Sequence, residues 1–309
     1  MTVLTQLAVG GFMTLWIGEL FSRWLSFLKP LQDFIPYGAA GMLFVTGLAL
    51  FAAVFHLGRP LYAWKALRMW KRSWLSREVL LFAIFSHLCG AYALLQLAKH
   101  LLHWNIPDPA MIFLGALVVA SGLAGVYASA KIYLVPARPA WNTPRTPLRF
   151  FLTGFILGPL FALVVYGIYA CVQTPGLLSP VMKAPAFAFL AVSTLAGFFQ
   201  LVVLLSRLFL LPWQVFDELQ ASSFLLIHRF KKSFISRLAL LVLGSFIFPF
   251  IFYSFLQVGN LHAAGFLGLS AACFVFSLLG ELLGRYLFFV TVVPKNMPGA
   301  FFTTKAGGR

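Results

Sequence analysis

Residues 36–58 read PYGAAGMLFVTGLALFAAVFHLG, without a single Asp, Glu, Lys or Arg. A bilayer's hydrocarbon core is about 30 Å thick, and a helix rising about 1.5 Å per residue needs roughly 20 apolar residues to cross it. This stretch meets that length and lacks the alternation that a membrane β-strand requires. Working outward on the same rule, further spans are predicted at 2–24, 78–102, 108–135, 148–173, 184–212, 234–260 and 263–293. The expected fold is all-α: an integral membrane bundle of eight transmembrane helices, forming one membrane domain over 1–309. The first span has no basic leader and no evident small-residue cleavage site, so it reads as a retained helix and not as a signal peptide.

Composition agrees. Of 309 residues, 61% are hydrophobic and only 10% charged, with a mean hydropathy of +0.93. An ordinary soluble domain carries about 25% charged residues. The formal net charge of +16, from 23 Lys and Arg against 7 Asp and Glu, suggests nucleic acid in a soluble chain. In a chain this apolar it points to charged membrane loops, and nucleic acid is not an expected partner. Cys89, Cys171 and Cys273 lie in apolar runs without metal-ligand spacing and read as small core residues.

The cations are unevenly placed. Six fall in the turn after the second span, four after the fourth, five after the sixth and four at the end of the last span and its tail: 19 of the 23. The other four fall after the first, third and fifth spans. The positive-inside rule therefore puts both termini and the three basic loops on the cytoplasmic side of the membrane. Arg23 and Lys29, with no cation before the first span, argue locally the other way, and docking of an acidic partner would also explain the asymmetry.

The most informative turn joins the second and third spans: His56-Leu57-Gly58-Arg59-Pro60, then Lys65, Arg68, Lys71 and Arg72, then Ser76-Arg77-Glu78. Local physics accounts for much of it. Gly58 and Pro60 suit a helix end, Ser76 is the expected N-cap of the third span, and Glu78 complements the dipole of its first turn. The same hairpin brings His56 and Glu78 to one membrane face, at the depth of a quinone headgroup. Two-electron quinone chemistry moves two protons, which an imidazole can exchange and a carboxylate can relay.

A second stretch, Pro136 to Pro147, holds four prolines, Arg138, Trp141 and Arg145 and is expected to be stiff and extended, with Trp141 in the interfacial belt. A third, Gly280-Glu281-Leu282-Leu283-Gly284-Arg285, combines a GxxxG helix contact with an expected intramembrane ion pair, Glu281 with Arg285, four residues apart. Lys131, Arg207 and Arg237 fall near the basic ends of their spans, and Glu19 with Arg23 forms the comparable pair at the opposite face.

In their order and spacing, the His-Leu-Gly-x-Pro turn, Ser-Arg-Glu at 76–78, Trp-Asn-Thr-Pro at 141–144, Thr-Pro-Leu at 146–148, Phe-Phe-Leu-Thr at 150–153 and Gly-Glu-Leu-Leu-Gly-Arg resemble the anchor subunit of dimethyl sulfoxide reductase. The resemblance runs along most of the chain. It implies a membrane-anchor domain of a bacterial cytoplasmic (inner) membrane that reacts with menaquinone or ubiquinone and carries no haem or metal itself. It also implies two partners, an iron–sulfur electron-transfer subunit and a molybdopterin catalytic subunit, with those cofactors in the partners. The family's quinone-site histidine and glutamate map to His56 and Glu78, with Gly58, Arg59, Pro60 and Ser76 as turn or headgroup contacts. Lys65, Arg68, Lys71, Arg72, Arg77, Arg138 and Arg145 are the expected docking cations, and no residue is assigned to catalysis on the terminal substrate. A cytoplasmic basic face fits the related membrane-bound sulfite dehydrogenases better than an exported reductase. Two rivals are a haem b anchor and a transporter. The first needs about four axial ligands, yet of the histidines only His87 lies well inside a span, where it reads as a satisfied bundle residue. The second calls for broken helices in both halves, which are not evident.

Overall fold

The protein's structure, a computed structural model, describes residues 2–55, 60–173, 176–178, 180–209, 217–258 and 261–295. Eight of its helices are long and apolar enough to cross a membrane. They are α1 (Thr2–Ser22), α2 (Leu31–Phe55), α3 (Trp74–Leu101), α4 (Asp108–Tyr133), α5 (Arg145–Gln173), α6 (Pro180–Phe209), α8 (Lys231–Val258) and α9 (Ala263–Val290), with a short α7 (Asp217–Phe224) preceding α8. The spans match the sequence expectation, with most ends shifted by a few residues. Residues 36–55 of the charge-free stretch lie in α2, which starts earlier because Pro36 is accommodated inside the helix.

Contacts between turns establish which ends lie together. Asp108, at the start of α4, binds both Arg23 at the end of α1 and Lys99 at the end of α3, at 2.9 and 2.5 Å. The turn after α5 meets the turn before α9 through Leu178 N–H donating to Leu261 O, 3.0 Å. At the other end, Lys295 N–H donates to Ala137 O, 2.9 Å, joining the segment after α9 to the α4–α5 connector. The basic turns thus share one end of the bundle and the poorly charged turns share the other.

Helices α1 and α5 form the centre and are the most deeply buried of the eight spans. Around them lie α2, α4, α6 and α9, while α3 packs on α4 and α8 on α9. In hydrocarbon, apolar side chains gain little by leaving lipid, so helices adhere where small residues let backbones approach. Gly10 and Gly11 of α1 face Gly154 and Gly158 of α5, and a Cβ added at Gly10 or Gly158 would overlap the opposing backbone. Outward-facing positions are bulky and apolar, for example Phe44, Phe51, Leu94, Phe113 and Phe250, as lipid contact requires. Trp24 and Trp104 are exposed at one end and Trp70 and Trp74 at the other, the pattern of interfacial belts.

Helix α8 contains a π-turn at Leu243–Ile247 that precedes Pro249. Gly244 in this turn lies against Ser277 of α9, with no room for a Cβ.

Replacing Gly158 by Leu should remove about 3 kcal/mol of stability or more, the scale of severe overpacking. Gly47→Ala, at a site with nothing within 4 Å, should leave the protein as stable or slightly more so. Thermal melting of both variants in detergent checks the pair, and equal melting would refute the glycine seam.

Candidate functional site

The connector entering α3 is built by its own cations. A helical turn over Pro60–Met69 leads to Ser73, whose hydroxyl accepts from Ser76 N–H at 3.4 Å and so caps α3. The cap is therefore Ser73, not Ser76. Helix α3 begins at Trp74, one turn earlier than expected, because Ser73 offers the first side-chain acceptor in an extended backbone. Ser76 and Glu78 are consequently inside the helix and buried, and Glu78 lies past the first turn. Arg77 folds back to donate to Trp70 O at 3.0 Å and Lys71 O at 2.8 Å and stacks on Trp74 at 4.4 Å, so it braces the connector. Lys65, Arg68, Lys71 and Arg72 are exposed along it. His56, Gly58 and Arg59 lie outside the described residues, as do the side chains of Pro60 and Arg207.

Glu78 is 4% exposed and accepts a hydrogen bond from Ser129 Oγ of α4. One turn along α4, Tyr133 enters an aromatic box with Trp141, Phe150, Phe288 and Phe289. Trp141 does not face an interfacial belt, as the sequence suggested, but packs inside the protein. Its ring is buried, stacks on Phe288 at 5.2 Å and donates from Nε1 to Phe288 O at 2.9 Å. The proline-rich connector is correspondingly folded into turns, with Trp141 N–H and Asn142 N–H donating to Arg138 O, both 3.0 Å. Arg138 covers the outer face of Trp141 at 4.4 Å, and Arg145 opens α5 beside Thr143, Thr146 and Arg149.

Deeper on the same side, the ion pair of Glu281 is made with Arg237 of α8, at 3.2 Å, and not with Arg285. Thr153 Oγ1 donates to the same carboxylate at 2.5 Å, and Gln200 Nε2 to both of its oxygens at 3.2 Å. Arg237 also donates to Gly280 O, and a Cβ on Gly284 would occupy the place of its guanidinium. The GxxxG pair of α9 thus forms a slot for an arginine. Arg285 turns the other way, donating to Gln6 Oε1 of α1 at 2.9 Å and stacking on Phe150 at 3.9 Å. An i, i+4 spacing allows a pair but does not compel it when a neighbouring helix offers a buried cation.

At the poorly charged end, Glu19 accepts from Tyr92 Oη and from Gln96 Nε2, the latter at 3.2 Å, and lies 3.8 Å from Arg23. It lines a vestibule of about 440 Å3 together with Gln32, Lys99, His100, His103 and Asp108. The expected Glu19–Arg23 pair is present, but Asp108 holds Arg23 more closely. His87 departs from its expected place: it is exposed on α3, with Nδ1 2.7 Å from Ala83 O of its own helix.

Ser129, Gln6 and Gln200, and the pairing of Arg237, escaped the sequence reading. Their signal was a polar residue inside an apolar run, which in a membrane span marks a partner across helices.

The family described as DMSO reductase anchor subunit (DmsC) matches residues 1–290. The chain belongs to this family. Among curated relatives, it is 29% identical over 195 residues to a sulfite dehydrogenase subunit of Allochromatium vinosum, covering 56% of this chain and 59% of that one. It is 30% identical over 161 residues to an anaerobic dimethyl sulfoxide reductase chain of Escherichia coli, covering 52% and 53%. A second Escherichia coli relative, the anaerobic dimethyl sulfoxide reductase chain YnfH, is 27% identical over 165 residues. The protein thus spans between 53% and 59% of the length of the first two relatives it matches. As a member of the anchor family with eight long apolar helices, it is a multi-pass membrane protein.

Truncating Arg237 to Leu would break the buried ion pair that Glu281 makes directly, with an expected loss of about 3–5 kcal/mol. The double variant Arg237→Leu/Glu281→Leu should recover most of that loss. Denaturation of the single and double variants in mixed micelles measures the coupling, and strictly additive losses would contradict the pairing.

Proposed function

We propose that this chain is the quinone-reactive membrane anchor of a three-subunit molybdopterin and iron–sulfur oxidoreductase. Family membership supports the anchor role. The observation that carries the site is Glu78, a buried carboxylate held by a neutral hydroxyl at the basic end of the bundle, one turn into the helix that the cation-lined connector enters. Electrons arrive from an iron–sulfur subunit docked on Lys65, Arg68, Lys71 and Arg72. Complementary charge steers such docking. Reduction of a quinone to a quinol takes two electrons and two protons. Glu78 passes protons toward the headgroup and His56 exchanges the proton at the headgroup oxygen. With a quinol as donor, the same groups accept the protons.

The terminal substrate is taken to be sulfite, oxidised on the cytoplasmic side. The excess of cations at one face supports that orientation, and the Allochromatium vinosum relative supports the substrate. The second reading is the anchor of a dimethyl sulfoxide reductase that oxidises menaquinol, favoured by the two Escherichia coli relatives.

His56→Gln and Glu78→Gln should each lower quinone-coupled turnover at least tenfold, while dye-linked activity and subunit assembly persist. Unchanged quinone coupling would remove both residues from the site. Orientation is read by single cysteines: Lys71→Cys should react with an impermeant thiol reagent only from the cytoplasm, and His103→Cys only from outside. The opposite labelling would favour the exported reductase.

A further inference from the structure

The Glu281 cluster has an imbalance that its own hydrogen bonds do not remove. Arg237 and Arg285 bring two positive charges against the single carboxylate of Glu281. Arg237 is 2% exposed and Glu281 4% exposed, and Glu281 lies nine residues before the end of α9, about 14 Å along the axis. Excess charge at that depth is costly unless something compensates it.

The hydrogen-bond inventory leans the same way. Among the described residues, Arg237 Nε and Arg285 Nε are buried donors without a partner, as is Gln6 Nε2 beside but not in the cavity, while Gln200 Oε1 is the one unpaired acceptor among the side chains of this cluster. Arg237, Arg285 and Gln200 line one cavity of about 20 Å3, together with Thr153, Glu281, Arg149, Phe150, Phe288 and Gly284. That volume admits one water-sized occupant. A water would accept from the unpaired donors but would leave the charge. A monoatomic anion answers both the surplus of donors and the surplus of charge. Gly284 lets the guanidinium of Arg237 lie at the wall of this cavity, since a Cβ there would overlap it.

We propose that this cavity is a halide site, holding chloride between the guanidinium groups of Arg237 and Arg285. The site stands apart from the quinone reading, because it needs neither Glu78 nor a partner subunit.

The test is thermal melting of the full-length chain in detergent, titrated with sodium chloride or bromide against sodium gluconate at equal ionic strength. The expected result is a saturable rise with either halide, of about 4 °C or more at a hundredfold excess over half-saturation, and none with gluconate. Arg285→Gln, which removes a positive charge, should raise the half-saturating concentration at least tenfold. Glu281→Gln, which removes the competing negative charge, should lower it. A cluster that only braces the helices would show destabilised variants without this opposed, halide-specific shift. Identical melting of the wild-type protein in chloride and gluconate would overturn the proposal. Should either variant fail to fold, bromide soaked into crystals of the wild-type protein decides: an anomalous peak between Arg237 and Arg285 supports the site, and a water there refutes it.

Discussion

The backbone contact between α1 and α5 is the constraint on which the rest of the bundle depends. Gly10 and Gly11 lie directly against Gly154 and Gly158, so the two central helices touch without intervening side chains. Lipid supplies no hydrophobic force between apolar helices, and this seam works through dispersion over closely fitted backbones. It also sets the polar chemistry. Thr153 adjoins Gly154 and reaches Glu281, while Gln6, one turn before Gly10, reaches Arg285. A wider α1–α5 spacing would draw these partners apart.

The buried carboxylates divide between the two ends. Glu19 at the poorly charged end is held by a phenol and an amide beside a large polar vestibule. Glu78 and Glu281 lie toward the basic end, one held by a hydroxyl and the other by an arginine, a threonine and a glutamine. Glu78, with no cation bound to it in the described structure, is suited to changing protonation. Glu281, clasped by Arg237, is suited to keeping its charge. The two carboxylates therefore have different chemistry despite sharing one half of the membrane.

Helix number and position were legible because a membrane span is written in length and apolarity, which a sequence displays directly. The grouping of cations at one end was legible for the same reason. Partner choice was not. Glu281 and Arg285 stand four apart on one helix, yet Arg237 from α8 takes the carboxylate and Gln6 from α1 takes the arginine. Those choices depend on which helices pack together, and no local spacing encodes that. Trp141 misled for a related reason: an aromatic beside arginines looks interfacial until Phe288 supplies a stacking face and a carbonyl. The cap was expected at Ser76 and is made by Ser73, because either serine can cap a helix and only backbone conformation separates them.

The clasp at the basic end has a consequence for biogenesis. Trp141 belongs to a connector made when about half the chain has been synthesised, but its hydrogen-bond acceptor, Phe288 O, lies at the end of the last helix. The backbone bond from Lys295 to Ala137, and that from Val293 N–H to Ser222 Oγ, also wait for the segment that follows α9. The α4–α5 connector therefore cannot reach its final form until α9 has entered the bilayer. Until then the aromatic box stays open at the membrane surface, and closure of the bundle is a late event that the insertion machinery or a partner must await.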